Sequence, residues 1–278
     1  MQSLSHNPMN APISGSMNDS IKKRKKRTSK TKPKLPLPIL MRKAGLVVIF
    51  SLLIFAISFP VKYGIANVQY YAADHLLISW HKSPQTLNVK SWQQAFKSIN
   101  KANELQPNHP LYLDIKGKVL LWGLNLSDSE IMPKPQLLNL ALNSFKQSLK
   151  IRPVWANTWI DLAMTKWHLN QIDDEFWLAL EKAEKFGPYM PEVNLGLSTI
   201  YMAFWPQLTT IQKIKGVEQI SRTMIQPYNE DYSFNYRSAL IERVKLYKKE
   251  DVFCTLIKIN KKLKHFGRHS SIKKLCAG

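Results

Sequence analysis

The sequence predicts an all-α protein, a single transmembrane helix followed by a degenerate array of paired helices. Three observations predict it. Residues Ala44 to Val61, AGLVVIFSLLIFAISFPV, are eighteen consecutive positions without a charge. Beyond them, apolar residues recur at helical intervals and stand at repeated offsets from a series of prolines. The chain also carries sixteen prolines but only ten glycines, a balance that suits helix boundaries over hairpin turns.

Eighteen residues at a rise of 1.5 Å each cover roughly 27 Å, close to the ~30 Å hydrocarbon core of a bilayer. The span is expected over residues 44–66, with Lys62 snorkelling and Tyr63 at the interface. Eleven Lys or Arg residues precede it and the one acidic residue before Met41 is Asp19. Basic flanks stay in the cytoplasm, so the N-terminus is expected inside and everything after the span outside. A cleaved signal peptide is the alternative, but its apolar region runs about 7–15 residues behind a short basic one, and forty residues of preface is long. A buried helix of a soluble protein is the third reading.

Residues 1–43 are polar, then basic (KKRKKRTSKTKPK), then LPLP before the membrane segment. Such a segment cannot bury a core and is expected to be a disordered cytoplasmic tail. KKRKKR alone resembles a nuclear address or a nucleic-acid patch. Beside a hydrophobic span the simpler reading is topology plus attraction to anionic lipid headgroups, about 1 kcal/mol per residue near the surface; no nucleic-acid partner is expected. Net charge is +21 over 278 residues. The tail supplies 11 − 1 = +10, which leaves 29 − 18 = +11 on the rest. Cys254 and Cys276 are the two cysteines. An oxidising exterior would let them pair, but nothing in the sequence brings their Cα atoms together.

The repeat lies in residues 67–235. Twelve, eight and five positions before Pro107 stand Ala95, Ile99 and Ala102. The same offsets before Pro153 give Ala141, Phe145 and Ser148, and before Pro188 they give Phe176, Leu180 and Ala183. Small residues let a neighbouring helix approach and large ones fill the groove beside it, while the proline ends each helix at a turn. The helices that follow carry Leu113, Gly117 and Leu120; Trp159, Leu162, Ala163 and Trp167; and Leu195, Gly196 and Ile200. Gly117, Ala163 and Gly196 are the expected crossing points. This pattern resembles the tetratricopeptide repeat, with W-x2-L-G-x2-Y in one helix and A-x3-F, A and P in the next. Trp159, Leu162 and Ala163 match the first part, and Ala95, Ala102 and Pro107 the second. The proline spacings of 46, 35 and, to Pro227, 39 depart from the 34-residue period. An insertion over residues 125–136 lengthens the second unit, and the fourth, 209–227, keeps little beyond its proline. Another helical bundle is the alternative.

Such an array stacks each pair on its neighbours and leaves a concave face lined by the first helix of each pair. The insertion is expected to emerge as a loop at one edge. Between span and array, Ala73, Leu76, Leu77 and Trp80 fall on one helical stripe, which favours packing on the first repeat over an interfacial belt for Tyr70, Tyr71, Trp80, His81 and Trp92. Residues 236–278 read as a basic capping helix and tail, with Ile241, Val244, Val252, Phe253, Leu256, Ile259 and Leu263 on its apolar side. Lying on an anionic membrane surface is the other reading of that stretch.

Chemistry is sparse. There is no G-x-S-x-G, Walker or G-x-G-x-x-G motif, and Asp74-His75 has no nucleophile in a recognisable pattern. His75 and His81 are six apart, the wrong spacing for one helix face. His265 and His269 have no third ligand for zinc. Asp173, Asp174 and Glu175 read as the capping acids of a helix. No catalytic, cofactor or metal site is expected, and the chain does not read as an enzyme. Of eight tryptophans, the repeat accounts for Trp159 as core, and Trp155 and Trp177 are the candidates for exposed partner contacts.

The basic tail, one span, WQQAFKSINKANELQPNHPLYLDIKGKVLLWG and WANTWIDLAMTKWHLNQ together resemble the VpsP-type family of bacterial polysaccharide biosynthesis proteins. They are also similar to the repeat portion of O-antigen polymerases and ligases. The resemblance covers about residues 40–230 and carries no catalytic motif. It implies a bacterial inner-membrane protein with a periplasmic helical domain that assists exopolysaccharide assembly or export, with a polymerase or export proteins as partners. Scaffolding of another envelope assembly, such as secretion or pilus machinery, and modification of polysaccharide are the alternatives.

Overall fold

The computed structural model describes residues 37–127, 131–225 and 235–277. The basic run KKRKKR and Pro227 lie outside them. Eleven α-helices and no strand occur among the described residues. The chain divides into two compact units, the first ending at Leu53 and the second starting at Ile54.

Helix α1 covers Leu37–Lys82, so the last seven residues of the segment expected to be tail are helical. It is the one described helix long and apolar enough to cross a membrane, and its most apolar eighteen-residue window is wholly unburied by protein. Two serines in the apolar stretch bond back to the turn before them. Ser51 Oγ donates to the Val47 carbonyl at 2.9 Å and Ser58 Oγ to the Phe55 carbonyl at 2.6 Å, so neither hydroxyl asks for water.

In the second unit, α1 from Ala66 onward joins the core of the array. Ala66, Ala73, Leu77 and Trp80 are buried on one stripe. Tyr112 Oη donates to Asn67 Oδ1 at 2.7 Å, and Trp80 packs on Trp122 with ring centroids 5.8 Å apart. The packing reading of this segment therefore holds for Trp80 and for Trp92, whose indole N–H donates to the Val119 carbonyl at 2.8 Å. Tyr71 stays exposed.

The array runs α2 (Val89–Leu105), α3 (Pro110–Trp122), α4 (Lys134–Ile151), α5 (Ala156–His168), α6 (Asp174–Phe186), α7 (Pro191–Ala203) and α8 (Thr210–Ile225). Each helix packs on the next in sequence, and α3, α5 and α7 also touch one another in series. Pro107, Pro153 and Pro188 each stand two residues beyond the last helical residue of α2, α4 and α6. The residue between is pushed out of the helical region by the proline ring. Gln106, Arg152 and Gly187 accordingly share φ near −135°, at −139°, −132° and −134°. The starts are specified as locally. Asn88 and Ser91 form a capping box on α2, Asp173 accepts from the Phe176 N–H on α6, and prolines open α3 and α7.

All nine offset residues, from Ala95 to Ala183, are buried. Gly117 lies under Phe145 and Gly196 under Ile160, each so close that a methyl group would overlap the neighbour's side chain. Ala163 is fully buried between them in sequence. Trp159, expected in the core, is only half-buried; its indole N–H instead reaches back to the Pro153 carbonyl at 2.7 Å.

Two regions differ from expectation. The insertion does not simply emerge as a loop. Gly123–Asn125 form a 3₁₀ turn, and Ile131 and Met132 fold back onto the core because both are apolar. The C-terminal region is not one capping helix but three: α9 (Tyr236–Leu246), α10 (Glu250–Ile259) and α11 (Ser270–Leu275). Lys248 adopts a positive φ of 51° and breaks the chain between α9 and α10. Cys254 and Cys276 form a disulfide with Cα atoms 5.6 Å apart, and so tie α10 to the end of α11. Val244, Phe253 and Leu263 are buried as expected, whereas Ile259 is exposed. These helices build a second hydrophobic cluster with Val217, Ile220 and Met224 of α8 and Leu195 and Met202 of α7. The fourth unit is thus a full helix pair, α7 on α8, with Gly216 close under Tyr201.

Candidate functional site

The first helices of the pairs, α3, α5 and α7, carry their polar residues toward one cavity of about 410 Å³, closed on further sides by His81 of α1 and by α9. Leu121, Trp122, Ile160, Met164 and Leu195 supply an apolar wall. The rest is polar or charged apart from Gly196, with Lys118, Asp161, Glu192 and Arg243 as the charged groups. Helical spacing explains how: Asp114 and Lys118 are one turn apart on α3, and Asn157 and Asp161 one turn apart on α5, so each pair shares a face.

Lys118 sits at the centre. Its ammonium is 2.9 Å from Asp114 Oδ2 and 3.6 Å from Asp161 Oδ2. Asp114 is fully buried, and its other oxygen accepts from Thr158 Oγ1 at 2.6 Å. Burial by itself would lower the Lys118 pKa, but the two carboxylates outweigh it and raise it, so the ammonium is firmly charged. Asp161 goes the other way from an ordinary carboxylate. Burial holds its pKa well above the usual range, Lys118 pulling it down and Asp114 and Glu192 pushing it up. Glu192 on α7 accepts from the Tyr236 hydroxyl at 2.8 Å, which ties α9 to the array.

Arg243 forms the wall on α9. Burial lowers its pKa, opposed by Tyr247 and Glu242. Three polar atoms of the cavity-lining residues are buried with no hydrogen-bond partner: Asn157 Oδ1, Asp161 Oδ2 and Arg243 Nη1. At 3.6 Å, the Lys118–Asp161 contact is too long to satisfy the carboxylate oxygen.

The structure does not bring Trp155 and Trp177 together, and neither lines the cavity. Trp155 stands at the N-cap position of α5 without a side-chain cap bond, exposed, with the Arg152 guanidinium 3.8 Å above its ring. Trp177 on α6 is half-buried and packs edge-on against Phe176 and Phe204, with centroids at 5.0 and 6.2 Å. The capping acids do more than cap. Lys166, buried at 2% exposure, donates to Asp173 and to Glu175 at 2.8 Å each, and Lys146 of α4 reaches Glu175 at 2.7 Å. The ion-paired group joins α4, α5 and α6. Among the described residues no three His, Cys, Asp or Glu side chains converge as a metal site; His269 instead caps α11, its Nδ1 accepting from the Ser271 N–H at 3.3 Å.

Sequence reasoning missed Lys118, Asn157, Asp161, Glu192 and Arg243. The signal for the first three was local, since charged or amide residues one turn apart interrupt helices that are otherwise apolar. Arg243 gave none, because its place depends on how α9 folds back. No known protein-family model matches the chain, and no curated protein matches it significantly.

Proposed function

We propose that this protein is a membrane-anchored scaffold whose external helical array holds a partner protein in the groove of α3, α5 and α7. The observation that carries this reading is the cavity on those three helices, where charged and aromatic side chains stand together beside the Gly196–Ile160 crossing. A stacked array with such a groove is built for recognition.

The finer reading places the chain once through a bacterial inner membrane, N-terminus in the cytoplasm and array in the periplasm. The basic bias before the span supports that orientation. The Cys254–Cys276 disulfide supports an oxidising compartment for the array. The tail then meets anionic lipid headgroups, and the array meets a polymerase or export component of an exopolysaccharide pathway, the partner class that the family resemblance implies. The role is assembly without catalysis.

A photo-crosslinking residue at Met164 or Trp122 tests this in living cells. Crosslinks to inner-membrane polymerase or export proteins are expected. Crosslinks to secretion or pilus components would move the scaffold to another assembly, and sugar release from polysaccharide by the purified protein would replace it with an enzyme. A reporter that works only outside the cytoplasm, fused after Cys276, is expected to be active.

A further inference from the structure

The turns after α2, α4 and α6 fall in one row, and that row lies level with the end of the apolar run of α1. Helices α1 and α3 run side by side in the same direction. Tyr70 stacks on Tyr112 with ring centroids 5.4 Å apart, and ten residues on along both helices Trp80 packs on Trp122. By the same offset the α2–α3 turn, residues 106–109, is about level with residues 64–67 of α1. Ile54 to Val61, exposed and uncharged, comes just before, in the same compact unit as the array. Three contacts continue the row. Ser148 Oγ near the end of α4 donates to the Pro110 carbonyl at 2.8 Å. A methyl group on Gly187 would run into that of Ala156, the first residue of α5. Arg222 near the end of α8 donates to the Pro188 carbonyl at 3.1 Å.

Scattered exposed apolar residues are ordinary, but this edge gathers them. Ile151, Val154 and Trp155 are exposed at the α4–α5 turn, and Tyr189 at the α6–α7 turn is 75% exposed. Lys150 and Lys185 stand exposed in the last turns of α4 and α6. The opposite edge differs. Its turns expose Asn170, Gln171, Pro206 and Gln207, while Ile172 and Leu208 pack inward; Ile211, at the start of α8, is the exception. We propose that the edge carrying Val154, Trp155 and Tyr189 rests on the surface of the bilayer that α1 crosses. Tryptophan and tyrosine favour the headgroup level, where one end of the ring is wet and the other apolar. Val154 and Ile151 reach the acyl boundary, and Lys150 and Lys185 meet lipid phosphates. The anchor already confines the array to the membrane, so a modest gain per residue suffices to hold the edge down. The proposal rests on the membrane-anchored reading of α1 and needs no partner protein.

The test uses the full chain in nanodiscs of phosphatidylcholine and phosphatidylglycerol, with a fluorophore on one introduced cysteine. Cys254 and Cys276 are held in their disulfide and stay unlabelled. Val154→Cys reports on the edge, Gln171→Cys on the opposite edge and Phe55→Cys on the span. A lipid spin-labelled near its headgroup is expected to quench the Val154→Cys probe at least twofold more than the Gln171→Cys probe. Aqueous iodide should do the reverse. Adding Trp155→Glu with Tyr189→Glu should cut lipid quenching of the Val154→Cys probe at least twofold, with the circular dichroism unchanged. Equal lipid quenching of the two array probes overturns the proposal, as does a Val154→Cys probe closed to both quenchers, which would mean that protein covers the edge. In either case a Phe55→Cys probe quenched by a lipid labelled deep in its acyl chain leaves the anchor standing. A Phe55→Cys probe that no lipid quencher reaches overturns the anchor and the proposal together.

Discussion

Gly117 of α3 lies so close under the ring of Phe145 of α4 that any β-carbon would enter it. This contact joins the two most intimately packed helices of the array and sets how near they come. Replacing Gly117 by Ala would ordinarily favour a helix by up to about 1 kcal/mol. Here overpacking dominates, and Gly117→Ala is expected to destabilise by about 1–3 kcal/mol in chemical denaturation. Gly64, with open space around its Cβ position, is the control: Gly64→Ala should cost nothing.

Lys166 makes the junction of α5 and α6 depend on two carboxylates. Lys166 donates to Asp173, and with the Phe176 N–H this holds the Asp173 pKa below its ordinary value; Glu175 is lowered as well, its bonds to Lys146 and Lys166 outweighing its burial. Depressed carboxylates stabilise above their unfolded pKa and lose that contribution as the pH falls through the folded one. Asp173→Ala removes the cap and half of the lysine's partners, at an expected cost of about 2 kcal/mol. Asp173→Asn keeps the cap, should cost less than the alanine variant, and should flatten the loss of stability below about pH 4. Thermal melts by circular dichroism from about pH 3 to 6 read both effects.

Asp161 has the opposite sign. A raised folded pKa contributes stability that is present below the ordinary carboxylate range and is lost as the pH rises through the folded value. Asp161→Asn removes that dependence. The variant is expected to melt higher than the unaltered protein at about pH 8, with the gap narrowing by about pH 4.5. A gap independent of pH would show that Asp161 is an ordinary surface acid.

The disulfide closes a loop with a sequence separation of 22 residues. Loop-entropy arguments put its contribution at about 3 kcal/mol. Cys254→Ser with Cys276→Ser should therefore lower the stability of the C-terminal helices by that order. In cells, the denatured chain should resist alkylation until a reductant is added, read as a mass shift on a gel. Two thiols that alkylate without reductant would place this end of the chain in a reducing compartment.

The span, the proline-terminated helices and the small-residue crossings were legible because each rests on local physics: a run without charge, an X-Pro step, a period of helical length. Gly117 and Gly196 could be named from sequence since a missing side chain at a repeat position has one economical use. The charged cavity was not legible. Lys118 and Asp161 lie on different helices, and nothing in either helix says that the other stands opposite. The C-terminal helices misled for a related reason, because the stripe from Ile241 to Leu263 fits one helix as a pattern while a single left-handed residue, Lys248, cuts it in two. Trp159 shows the limit of motif matching, since a tryptophan in a repeat register sits half out of the core once its indole finds a carbonyl nearby.

The cavity is also a seam. Trp122 packs on the larger apolar cluster, whereas Arg243 rides on a helix anchored in the smaller one by Leu240 and Val244. In stacked helices each layer leans mainly on its neighbours, so the terminal layers come loose before the middle does. Peeling of α9 would therefore flood the seam while the remaining pairs stand.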